Sequence, residues 1–128
     1  MSVTIEVSYG ELIDKITILE IKADKVKDLA KLNNIRTELD VLKQSLSAEV
    51  QPSPQVSALT VQLRDVNNQL WEIEDLIRDK ERTKTFDEEF IRLARSVYIT
   101  NDVRAKLKRE LNDLLGSKLV EEKDYKPY

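Results

Sequence analysis

The chain has no cysteine and no histidine. Disulfides, thiolate nucleophiles, zinc sites built on Cys or His and imidazole acid/base catalysis are therefore excluded. Any chemistry must use carboxylates, amines, guanidinium groups, hydroxyls or amides. Two glycines and three prolines in 128 residues leave little material for turns, which argues for few, long elements. Aromatic residues make up only 5% of the chain, so little is available to stack on bases. No run reaches the roughly 18 apolar residues of a membrane span, and Met1-Ser2-Val3-Thr4 lacks the basic and then apolar order of a signal peptide. A cytoplasmic location is the expectation. The formal net charge of −3 gives no general attraction to nucleic acid or to anionic membrane, and neither is expected as a partner.

What the sequence does contain is helical pattern. Ser8 followed by Glu11 is a capping box, which places a helix start near Tyr9. From there Leu12, Ile16, Leu19 and Ala23 form one stripe, with Ile13 on one side of it and Ile18 and Ile21 on the other. A helix this apolar has to be covered on more than one face, by its own chain or by a second copy. The spacing continues through Val26 and Ala30, then resumes in a shifted phase after Asn33-Asn34 through Leu32, Ile35, Leu39, Leu42 and Leu46. Pro52-Ser53-Pro54 ends this arm, because proline lacks the amide donor and restrains the residue before it. A second seam follows at Leu59, Leu63, Val66, Leu70, Ile73 and Ile77.

Two heptad seams joined by a proline turn predict an antiparallel, coiled-coil-like hairpin over residues 9–82, with its turn near 52–54. The first arm would measure about 60 Å and the second about 40 Å, with a kink or stutter at Asn33-Asn34. A third helix is expected over 87–115, started by Asp87 and stopped by Gly116. Packed on the hairpin near residues 12–30 and 66–82, it would leave the proline end as a projecting two-helix tip. Val3, Ile5 and Val7 alternate with polar residues as in a short strand over 3–7, and 116–128 is a tail. The fold class is thus all-α, a single helical domain of three long helices with a short N-terminal β-strand.

Several side chains are candidates for chemistry. Glu20 shares a face with Ile13, Ile16 and Ala23, so its carboxylate needs a cation or hydrogen bonds. The plainer reading is a structural ion pair with an arginine. Lys22 lies beside Ile18 and Leu19, where snorkelling is the plain reading. If the third helix runs unbroken through Tyr98-Ile99-Thr100-Asn101-Asp102, then Asn101, Arg104 and Lys108 continue the stripe of Phe90, Ala94 and Val97. With Arg95, Tyr98 and Glu20 they would line a cleft for a small anionic ligand. A break capped by Thr100 or Asn101 is the alternative. Trp71 stands off its seam and is either a packing residue against the third helix or the wall of a pocket. No cofactor and no metal are expected. Glu11 with Asp14 and Glu72 with Asp75 have the spacing of Mg²⁺-dependent nucleotide pyrophosphohydrolases, but it recurs at Glu110 with Asp113 and Glu121 with Asp124 among 24 acidic residues.

The blocks VTIEVSYGELIDKITILEIK, LWEIEDLIR and FIRLARSVYITNDVRAKLKRELNDLLGSKLVEEKDY resemble an uncharacterised family of bacterial or phage domains of unknown function. That resemblance spans nearly the whole chain and carries no activity with it. A weaker likeness is to the all-helical chorismate mutases, whose first helix contains Ile-Asp and whose long helices form an often intertwined dimer. It implies parts for Glu20, Lys22, Arg95 and Arg104 in holding a dicarboxylate, although no opening arginine precedes Leu12-Ile13-Asp14. The favoured expectation is a homodimeric helical interaction or assembly module, open to a protein partner through its hairpin. An enzyme or binder for a small anionic metabolite is the alternative.

Overall fold

The computed structural model describes all 128 residues and contains four helices and no strand: α1 Tyr9–Lys25, α2 Leu29–Glu49, α3 Pro54–Arg82 and α4 Glu88–Leu115. Each helix begins at a side-chain oxygen that accepts from the amide three residues on. Ser8 accepts from Glu11 at 3.1 Å, Asp28 from Lys31 at 2.9 Å, Ser53 from Val56 at 3.1 Å and Asp87 from Phe90 at 3.0 Å. Pro54 sits in the first turn of α3, where its missing amide costs nothing. Gly116 ends α4 in the left-handed conformation, with φ of 66°.

The expected long first arm is two helices. It breaks at Val26-Lys27-Asp28, where Val26 turns extended and Asp28 caps a fresh helix, and it runs straight through Asn33-Asn34. The break lets α2 fold back so that Ile35, Leu39, Leu42 and Leu46 cover Leu12, Ile16 and Leu19. One unbroken helix would have left both stripes in water. The seam of α3 consequently meets α1 and α4 and not α2. Leu63 and Val66 join Leu107 and Leu111 of α4, Ile13 of α1, and Val50 and Val56 on either side of the proline turn.

The architecture is therefore two helical hairpins, α1–α2 and α3–α4, with α1 packed on all three other helices and α2 packed on α1 alone. The proline end does not project, since Val50 and Val56 are buried there. The lean end is the turn between α3 and α4: among residues 71–106 Leu93 is the one buried apolar side chain. The helix through residues 99–102 is continuous. Residues 3–7 form no strand, because nothing in the chain pairs with their backbone. No helix is long and apolar enough to cross a membrane.

Candidate functional site

A second stripe on α1, made of Gly10, Asp14, Thr17 and Ile21, is fully buried and mostly not apolar. Gly10 allows α1 to approach α4 closely: a β-carbon there would stand 2.4 Å from the Lys108 carbonyl oxygen. The approach lets the Gly10 amide, one of the unpaired donors of a helix start, donate to Asn112 Oδ1 at 2.7 Å.

One turn along, the Asp14 carboxylate has no solvent exposure. Arg104 grips it with both arms of its fork, Nε donating to Oδ1 at 3.0 Å and Nη2 to Oδ2. Asn67 of α3 donates to Asp14 Oδ1 at 2.8 Å and to Thr17 Oγ1 at 2.9 Å. Thr17 in turn donates to the Asp14 carbonyl at 2.8 Å. The hydrogen bond to Asp14 is the main reason that Arg104 is held above its ordinary value.

Lys108 extends the cluster outward. Its ammonium lies 4.0 Å from Asp14 and donates to Glu11 at 2.7 Å and to Glu121 of the C-terminal tail at 2.9 Å. Burial pulls this lysine down, but the hydrogen bonds to Glu11 and Glu121 outweigh it, and the group ends raised. Lys108 correspondingly holds Glu121 below the usual carboxylate range. Three carboxylates face two cations, and α1, α3, α4 and the tail meet at one point. Further along the tail, Tyr128 donates to Asp102 and lies edge-on to Tyr98, with ring centroids 5.2 Å apart.

This arrangement differs from the expected anion cleft. Arg104 is present, but its charge is spent on Asp14. Asn101 sits beside it, accepting from Arg104 Nη1 at 3.5 Å. Glu20 belongs to a separate pair with Arg64 at 2.9 Å. Lys22 lies half-buried in the last turn of α1, and Trp71 is half-buried one turn beyond Asn67. Arg95 and Tyr98 are both exposed, Tyr98 with its ring edge-on to Tyr128. None of these seven residues lines either of the two main depressions of the surface. The three carboxylates of the cluster are paired with Arg104 and Lys108, and no acidic group is arranged to hold a metal ion, so Glu72 with Asp75 lacks the further ligands of a pyrophosphohydrolase centre.

Sequence reasoning noted Asp14 only for its spacing from Glu11 and did not count Asp14 or Asn67 among the candidate site residues. The available signal was the spacing of Gly10, Asp14, Thr17 and Ile21 by four, three and four, a buried stripe disguised by its polar members. No buried side-chain nitrogen or oxygen is left without a partner. The buried polar atoms of the cluster are thus committed to partners within the chain.

Residues 3–127 match the family of unknown function DUF6165. The chain belongs to this family. No curated protein and no solved structure matches it.

Proposed function

We propose that the chain is a helical interaction and assembly module that works as a homodimer. The observation carrying this reading is a contrast. Inside, every buried polar side-chain atom is satisfied, whereas outside large apolar side chains stand in water: Val3, Ile5, Leu29, Phe86 and Ile91 are each more than half exposed. A cluster whose buried atoms are all paired fixes the register of the helices, which supports a structural part for it. Exposed apolar surface gains free energy when a protein covers it.

Thermal melting tests the two readings against each other. For a homodimer the melting temperature rises with protein concentration, because association stabilises only the folded state. Phosphorylated sugars, nucleotides with and without Mg²⁺, and dicarboxylates leave it unmoved. A concentration-independent melting temperature that one small anion raises by several degrees would reverse the conclusion in favour of a metabolite binder.

A further inference from the structure

Residues 1–7 donate and accept no backbone hydrogen bond. Within them Val3, Ile5 and Val7 alternate with Thr4 and Glu6, and the three apolar side chains are 85%, 71% and 38% exposed. In this structure the segment is irregular, but drawn out as a strand it would have an apolar face and a free row of amides and carbonyls able to pair with another strand. Ser117, Lys118 and Leu119 of the tail line one groove together with residues 3–7 but make no backbone bond to them. The tail is also held elsewhere, by Lys108 on Glu121. No other segment of the chain is placed to pair with residues 3–7.

We infer that residues 3–7 pair antiparallel with residues 3–7 of a second copy, about a two-fold axis through Ile5. The segment is complementary to itself in that register. Val3 falls opposite Val7, Ile5 opposite Ile5, and Thr4 opposite Glu6, so one face is wholly apolar and no like charges face each other. Moving the axis to Glu6 sets two carboxylates opposite one another. Moving it to Thr4 sets Val7 opposite Met1 and Val3 opposite Ile5, a register that crosslinking at Thr4 against Ile5 distinguishes. A five-residue strand pair falls short of the roughly 800 Å² per partner of a stable interface. The groove of about 880 Å³ that residues 3–7 line together with Val41 and Leu42 is the apolar surface next to the strand that a second copy would also cover. This inference rests on the homodimer reading and locates its interface.

The absence of cysteine makes a direct test available, since a single introduced thiol has no competitor. Residues opposite each other across an antiparallel pair have Cβ atoms about 4.5–5.5 Å apart, near the range a disulfide needs. Full-length chain carrying Ile5→Cys should oxidise rapidly to a covalent dimer. Thr4→Cys and Glu6→Cys should each crosslink far more slowly alone and rapidly when mixed. Ile5→Lys, at a residue outside every helix, should keep its helicity and dimerise about a hundredfold more weakly. If Thr4→Cys crosslinks faster than Ile5→Cys, the register is wrong. If the wild-type chain is dimeric but Ile5→Cys does not crosslink and Ile5→Lys dimerises normally, the strand interface is overturned and the homodimer stands. A wild-type chain that stays monomeric removes both.

Discussion

Arg104 and Asp14, ninety residues apart in sequence, form a two-pronged ion pair in which the carboxylate is wholly buried and the guanidinium is 29% exposed. Removing one partner of such a pair leaves an uncompensated buried charge, which costs far more than the pair contributes against an apolar replacement. Arg104→Met is therefore expected to destabilise the fold by about 3 kcal/mol, the low end of the range for buried pairs because Lys108 remains near Asp14. Adding Asp14→Asn should recover part of that loss, since the uncompensated charge disappears. Denaturant unfolding of the two single variants and the double variant gives the coupling. Additive losses would show that the pair does not act as a unit.

Gly10 tests the packing of α1 on α4. In Gly10→Ala the new carbon would press on the Lys108 carbonyl, a backbone atom that cannot rotate away. Separating the helices enough to admit it should cost about 2 kcal/mol, as overpacking does. Gly116→Ala meets nothing within 4 Å, so its cost is the left-handed backbone alone, about 1 kcal/mol. Equilibrium unfolding should rank the two in that order.

The tail contact depends on pH in a defined direction. Lys108 lowers Glu121 from its ordinary 4.5, so this carboxylate favours the docked tail above pH 4.5 and ceases to as the pH falls through its lowered value. Lys108 is raised from 10.5, so its contribution is complete below pH 10.5 and is lost as the pH rises through its higher value. The amide resonances of residues 118–128 should report a docked tail between those limits and move to unfolded positions in acid. Glu121→Gln should weaken docking at neutral pH. A tail whose resonances ignore both acid and this substitution would mean that Lys108 does not hold it.

Arg95 separates the pocket expectation from the observed geometry. It is exposed and outside the polar cluster, so Arg95→Ala should change stability by less than about 0.5 kcal/mol. Glu20→Ala, which breaks a half-exposed pair with Arg64, should cost no more than about 1 kcal/mol. A larger loss for Arg95→Ala in unfolding experiments would place that residue in a structure not described above.

How much of this was legible depended on whether local chemistry marked the boundary. The starts at Ser8 and Asp87, the stop at Gly116 and the proline turn were readable because capping oxygens, glycine and proline act within one turn of the chain. The break at Val26–Asp28 was masked. No glycine or proline marks it, and the apolar spacing runs through Ala23, Val26 and Ala30 as though the helix continued. Folding back was decided by a non-local match, the stripe of α2 finding that of α1. With the break, α2 left the α3 seam and α4 joined α1 on it, because a heptad pattern states that a face is buried and not what buries it. The same limit hid the polar cluster: Asp14 reads as a solvated acid until Arg104 and Asn67, from two other helices, are brought to it.

The most direct test of the account is sedimentation equilibrium of the full-length chain over a wide range of concentration at neutral pH. The account predicts a reversible monomer–dimer equilibrium approaching twice the chain mass, with no small anion present. A single monomeric species at every concentration would contradict it.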